Sequence, residues 1–236
     1  MYNKTYNNYS TSVDKSAAFP ALMRNVYIWM TMALAVTGLT AAYVSSSPAI
    51  LQYIFTGKTI WLLALGELGL VWYLSARIMK ISFSTAGILF VLFSILNGVT
   101  LSSIFLVYTM ESIALTFYIT AGTFGAMSLV GYFTKKDLST MGRFLVMALI
   151  GLIIASIVNL FMQSTMLMWI TTYAGVLIFC GLTAYDTQKI KDMLIFYGNE
   201  THEGTLKIAL MGSLTLYLDF INLFIYLLRI FGSRRD

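Results

Sequence analysis

Three acidic residues lie inside apolar segments that are long enough to cross a membrane. They are Glu67 in "LLALGELGLVW", Asp186 in "GLTAYDTQKI" and Asp219 in "LTLYLDFINLF". A lone ionised carboxylate is costly in hydrocarbon, so such groups face the interior of a helix bundle or a wet cavity. The default interpretation of an intramembrane carboxylate is therefore a functional site.

The two aspartates are predicted to face each other. Their segments are joined by the polar loop "YGNETHEG" and form an antiparallel hairpin, in which Asp186 and Asp219 lie at matching depth. Two carboxylates at one level in a low-dielectric site tend to share one proton as a coupled pair. The pair is predicted to be a proton switch and gate; the alternative is a purely structural hydrogen bond between two helices.

Further polar residues are placed to assist this pair. Thr183 and Asn222 lie one turn away at matching depth and are candidates to supply further oxygens. Arg77 ends the second apolar segment, where it either latches onto a carboxylate in one state or snorkels to the membrane interface. Glu67 is a candidate pore or buried polar residue, with structural pairing as the alternative.

The segments that carry these residues dominate the chain. The 236 residues are 58% hydrophobic and 11% charged, whereas a soluble domain has about 25% charged residues. Apolar runs of membrane-spanning length occur near 26–45, 59–78, 84–108, 112–133, 143–163, 166–190 and 207–230. The fold class is predicted to be all-α: one integral membrane bundle of seven transmembrane helices over residues 26–231. Little chain remains for an extramembrane catalytic site, so an enzyme is not expected.

The two ends of the chain are predicted to be tails. Residues 1–25 are polar and are expected to form a disordered cytoplasmic arm, and residues 232–236 a short basic tail. With seven spans, eleven basic residues fall on the N-terminal side: Lys4, Lys15, Arg24, Arg77, Lys80, Lys135, Lys136, Arg143, Lys189, Lys191 and Lys207. Four fall on the other side: Lys58, Arg229, Arg234 and Arg235. This bias predicts a cytoplasmic N-terminus and a C-terminus across the membrane. The stretch "RIFGSRRD" opposes this prediction, because its three arginines would favour the cytoplasm. The alternative is that the seventh segment does not cross the membrane fully.

The sequence favours neither a metal site nor a nucleic-acid partner. Its only histidine, His202, lies in the polar loop, and a metal site needs several ligands. The net charge of +5 is explained by the topology bias alone. No cofactor is expected. The partner expected from the composition is the lipid bilayer.

Two patterns bear on helix packing. Small residues four apart, Gly122 with Ala126 and Gly151 with Ala155, are typical of close helix contacts. Pro20 and Pro48 are expected outside the spans, which leaves the helices unbroken.

Two facing aspartates also suggest general acid and base catalysis, as in intramembrane aspartyl proteases. The "AYD" of the sixth segment matches the YD of those enzymes. The second aspartate, however, sits in "LYLD" rather than in GxGD, and no PAL stretch follows it. Peptide hydrolysis is therefore not favoured.

The stretches "GLTAYDTQKIK", "LTLYLDFINLFIYLLRIFG" and "GYFTKKDLS" resemble the bacterial inner-membrane branch of the Bax inhibitor-one family, also called the transmembrane Bax inhibitor motif family. The resemblance covers the chain from about residue 20. It implies a seven-helix bundle with the seventh helix central. It also implies a pH-sensitive calcium leak channel in which Asp186 and Asp219 form the sensor and Arg77 the latch. "LSARIMK" offers one arginine where relatives have a basic cluster.

The resemblance also implies a second class of function. Some bacterial members resemble interaction proteins that modulate a membrane-bound ATP-dependent protease. On that hypothesis the N-terminal tail carries the partner contact, and neutral residues in place of the aspartates would be tolerated.

Overall fold

A computed structural model describes the backbone of residues 4–197 and 202–235, with side chains from 20 to 196 and from 203 to 235. The described residues form helices and no strand, apart from one isolated bridge between Tyr108 and Arg234. The helices are α1 Lys4–Ser45, α2 Pro48–Phe55, α3 Thr59–Arg77, α4 Phe83–Leu101, α5 Ile104–Val107, α6 Met110–Phe133, α7 Ser139–Met162, α8 Thr165–Tyr197 and α9 His202–Phe231.

Seven segments in this part of the chain are long and apolar enough to cross a membrane, which confirms the predicted all-α membrane bundle. They are Pro20–Ser45, Thr59–Arg77, Phe83–Val107, Met110–Phe133, Ser139–Met162, Thr165–Phe196 and Glu203–Phe231. The last span differs from the others in burial. In its most apolar stretch 72% of the residues are buried, against 6% to 33% in the other six, as expected for a helix that the others surround.

The N-terminal region departs from the sequence-based expectation. The structure places the chain from Lys4 onward in α1 rather than in an irregular tail, and residues 1–3 lie outside the described residues. No glycine or proline precedes Pro20, so no strong helix breaker interrupts this stretch. Pro20, which the sequence places outside the spans, lies inside the continuous helix α1.

Polar residues cap the starts of two helices. The Ser82 side chain accepts a hydrogen bond from the Thr85 N–H (3.1 Å) at the start of α4, and Thr109 accepts one from Ser112 (3.3 Å) at the start of α6. Such caps satisfy backbone donors that a helix start leaves free. The residue after α7, Gln163, has a left-handed backbone with φ of 49°, which ends the helix at Met162.

The chain divides into two compact units. The first runs to Ser102 and includes Lys189–Leu214. Within it α1 packs against α4, where the Thr37 hydroxyl donates to the Ser94 carbonyl (2.9 Å). Gly98 permits this approach, because a Cβ there would lie 2.6 Å from the Thr37 carbonyl oxygen.

The second unit comprises Ser103–Gln188 and the chain from Thr215. It contains α5, α6 and α7 with the adjoining parts of α8 and α9. Aromatic rings join α6 to α9: Phe220 lies 5.5 Å from both Phe117 and Phe124, measured between ring centroids. The candidate site lies in this unit.

Candidate functional site

Asp186 of α8 and Asp219 of α9 are joined by a hydrogen bond between their side chains. Their surroundings differ, since Asp219 is only 5% exposed whereas Asp186 is half-buried. The Oδ2 atom of Asp219 is buried without a hydrogen-bond partner among the described residues. The arrangement can hold one proton between two carboxylates and still leaves one buried acceptor atom free.

Close packing of α8 on α9 brings the two aspartates together. Gly175 of α8 faces Tyr226 of α9, and a Cβ at that glycine would lie 2.7 Å from the tyrosine ring. Phe179 stacks on the same ring at 5.9 Å between centroids. Both contacts lie on the α8 face that carries Asp186 two to three turns later, so they fix the register of the pair.

α6 supports α8 immediately beside Asp186. A Cβ at Gly131 would lie 2.1 Å from the Ala184 carbonyl oxygen, so only glycine fits there. One turn earlier in α6, the hydroxyl of Ser128 hydrogen-bonds that of Thr187 (3.1 Å), and both side chains are buried. The backbone on each side of Asp186 is therefore held by α6.

α7 and the loop before it support the same turn of α8. A Cβ at Gly142 would lie 2.3 Å from the ring of Tyr185. Gln188 accepts a hydrogen bond from the Leu138 N–H (2.8 Å) and donates one to the Lys136 carbonyl (2.9 Å). The loop within "GYFTKKDLS" is thus tied to α8 next to Asp186.

With this geometry in place, the chain can be compared with known proteins. The family model described as "Inhibitor of apoptosis-promoting Bax1" matches residues 20–236. The chain belongs to the Bax inhibitor-1 family. The match includes every part of the chain described in this site.

Individual relatives cover nearly the whole chain. It is 51% identical to "Inner membrane protein YbhL" of Escherichia coli (strain K12), over 94% of this chain and 96% of that protein. It is 43% identical to "Uncharacterized protein RP147" of Rickettsia prowazekii (strain Madrid E), over 100% and 99%. An uncharacterized protein of Borreliella burgdorferi is 46% identical, over 91% and 92%. The family resemblance inferred from the aspartate motifs is thereby confirmed.

In this Bax inhibitor-1 family member, Thr183 and Asn222 are satisfied by their own helices. The Thr183 hydroxyl donates to the Phe179 carbonyl (2.7 Å), and the Asn222 amide donates to the Leu218 carbonyl (2.8 Å). Their donor groups thus face backbone rather than the carboxylates. The structure gives no hydrogen bond from either side chain to the aspartates, within the part of the chain it describes.

Glu67 has a structural partner. The hydroxyl of Thr100 on α4 donates a hydrogen bond to its carboxylate, and the Glu67 side chain is half-buried. Both residues lie in the first unit. The pairing predicted as the alternative to a pore role is therefore present.

Arg77 is the last residue of α3, and its side chain is exposed. Over residues 4–197 and 202–235 that side chain has no ion pair, so the structure does not bring it to a carboxylate. Its role as a latch stays a prediction.

The sequence reasoning missed a row of buried hydroxyls on α6. Ser112, Thr116, Thr120 and Ser128 are at most 7% exposed. The signal was available, because these residues are four, four and eight positions apart, so each lies near the previous one along the helix surface. The Thr116 hydroxyl is buried without a partner among the described residues, and Ser128 lies beside Thr187 (3.1 Å). The row reaches the turn that carries Asp186.

The two glycine-alanine pairs predicted to mediate close packing do not do so. A Cβ at Gly122 or at Gly151 would meet nothing within 4 Å. In a chain with 17 glycines, spacing alone does not distinguish glycines beside open space from glycines that contact a neighbouring helix.

Proposed function

We propose that this inner-membrane protein is a pH-sensitive calcium leak channel, gated by proton exchange at Asp186 and Asp219. The observation that carries the proposal is the hydrogen bond between these carboxylates, one of them buried inside the span. Each proton gained or lost changes the charge of a site surrounded by apolar helices, where charge is costly. Such a change in charge can shift the packing of the helices.

The asymmetry of the pair supports proton exchange. Asp186 is half-buried and offers a route for the proton, whereas Asp219 is 5% exposed and registers the change inside the bundle. Thr187, the residue after Asp186, hydrogen-bonds the hydroxyl of Ser128 on α6 (3.1 Å), so this part of α8 is held by an uncharged contact.

A nearby loop carboxylate is an unsuitable sensor. The Ser139 hydroxyl and backbone N–H both donate hydrogen bonds to Asp137, and they hold the pKa of that carboxyl below its usual range. Asp137 therefore stays ionised near neutral pH and cannot produce a transition there.

Calcium suits a path lined with oxygen atoms. No group of three acidic, histidine or cysteine residues that could hold a metal occurs over the described ranges. We therefore propose transient passage rather than tight binding. The unpartnered Oδ2 of Asp219 and the hydroxyl row of α6 are the proposed contacts.

The direct test is calcium-dye fluorescence in proteoliposomes between about pH 6 and pH 8, a range that buried carboxyl groups reach. The proposal predicts a calcium flux that changes with pH and is unchanged when residues 2–19 are deleted. Loss of an effect on a membrane-bound ATP-dependent protease upon that deletion, with no flux in either protein, would instead favour the protease-modulator hypothesis.

A further inference from the structure

The unit that contains the aspartates also contains a cavity that lies away from them. It encloses about 490 Å³, and α7, α8, α9 and the bridge between Tyr108 and Arg234 contribute to its wall. Arg229, which also lines it, follows Asp219 by ten residues on α9, or about 15 Å along the helix. The cavity is therefore separate from the proton pair.

Two arginines, Arg229 and Arg234, line this cavity. Neither has a carboxylate partner within residues 4–197 and 202–235, and no acidic residue lines the cavity. Two cations at one opening, with no counter-ion among the described residues, create a site for an anion.

Both arginines are held in place. The Arg229 guanidinium lies over the ring of Tyr226, 5.4 Å from its centroid. Arg234 is fixed through the backbone, because the Thr109 N–H donates to the Ser233 carbonyl (3.1 Å) and the Arg235 N–H to the Val107 carbonyl (2.9 Å). The C-terminal tail is thus folded onto the chain before α6, and this fold brings Arg234 to the cavity.

The remaining wall combines a polar rim with an aliphatic surface. Asn159 accepts a hydrogen bond from the Ser164 N–H through its Oδ1 atom (3.0 Å), which leaves its amide nitrogen as a donor. Ile153, Ile157 and Leu160 of α7 are 50%, 51% and 71% exposed, and they belong to a helix that is apolar enough to cross a membrane. Ile153 precedes the end of α7 at Met162 by nine residues, or about 13 Å, so this surface extends from the helix end into hydrocarbon.

We propose that this cavity binds one anionic phospholipid, with the phosphodiester on Arg229 and Arg234 and an acyl chain along α7. A zwitterionic headgroup would bring a cation that no acidic side chain of the cavity could receive. A free phosphate would make no use of the aliphatic surface. The combination of cations and exposed aliphatic wall therefore favours an anionic lipid over both.

The test uses the full chain, delipidated in detergent, with native mass spectrometry for bound lipid and thermal unfolding for stabilisation. The probes are short-chain phosphatidylglycerol, phosphatidylcholine of the same chain length, and inorganic phosphate. We expect phosphatidylglycerol to bind and to raise the melting temperature, and the other two to have little effect. R229Q and R234Q should each weaken phosphatidylglycerol binding by about tenfold, since each removes a charge-assisted contact.

R235Q is the matched control, because the Arg235 guanidinium donates to the Phe105 carbonyl (3.3 Å) and does not line the cavity. It should bind phosphatidylglycerol like the unaltered protein. If R229Q fails to fold, phosphatidylglycerol binding by R234Q, a substitution on the exposed tail, tests the proposal. Equal binding of phosphatidylcholine, stabilisation by phosphate alone, or unchanged binding by R234Q would overturn the proposal.

Discussion

At the scale of single residues, Asp219 is placed where a carboxylate is most costly and where a partner is required. Its only described hydrogen bond is to Asp186, so neither aspartate can be exchanged for an apolar residue without leaving the other alone. A neutral Asn would serve a purely structural bond with less cost. Two acids at this position therefore favour a proton-binding role over a structural one.

Arg77 allows a residue-scale prediction, because an exposed arginine at the end of α3 either restrains the gate or only anchors the helix. On the latch hypothesis, Arg77→Ala raises the resting calcium leak in proteoliposomes by about two- to fivefold, the range of an exposed ion pair. The pH response should remain, since the sensor is intact.

Lys80→Ala is the control for this experiment, because Lys80 is an exposed cation three residues further along the chain. It should leave the leak unchanged. If the two variants behave alike, Arg77 is an interface anchor and the latch hypothesis fails.

At the scale of helices, glycines at three contacts set the position of α8. Gly131 of α6, Gly142 of α7 and Gly175 of α8 each leave room for a group of the neighbouring helix that a Cβ would displace. The atoms concerned are the Ala184 carbonyl and the rings of Tyr185 and Tyr226. Because Ala184 and Tyr185 directly precede Asp186, helix spacing and the geometry of the aspartate pair are coupled.

Replacement of Gly131 tests this coupling. Gly131→Ala places a Cβ 2.1 Å from a backbone carbonyl that cannot rotate away, so we expect a loss of about 2 kcal/mol or more in the free energy of unfolding. Gly122→Ala on the same helix meets nothing within 4 Å and should be neutral or stabilising, since alanine favours the helix. Thermal unfolding in detergent measures both, and equal melting temperatures would refute the close-contact account.

The sequence predicted the helices far better than their contacts. The spans follow from apolar runs, and the aspartate pair follows from matching depth in a hairpin, because both depend on local pattern and chain length. The partner of Glu67, Thr100, lies 33 positions away and leaves no local signal. The same limit explains Gly122 and Gly151, since a small residue shows that a close approach is permitted but not that it occurs.

At the scale of the whole molecule, two factors explain the distribution of basic residues: the topology of the chain and the proposed lipid site. The eleven on the N-terminal side fit a cytoplasmic N-terminus, which we propose on that basis. The C-terminal arginines oppose the bias, but α9 continues unbroken to Phe231 and is long enough to cross the membrane. The proposed lipid site gives Arg229 and Arg234 a role that does not require them to be cytoplasmic.

The most direct test of the account is the pH dependence of calcium flux after Asp219→Asn, measured by dye fluorescence in proteoliposomes between about pH 6 and pH 8. This change keeps the size of the side chain and removes its titration. The variant should fold and lose most of the pH dependence, and Asp186→Asn should do the same. The double variant should lose no more of the pH dependence than either single variant, since the pair acts as one titrating unit. Asp192→Asn, at an exposed carboxylate of the same helix α8, should keep the unaltered profile. If Asp219→Asn also kept that profile, the proton-switch account would be contradicted.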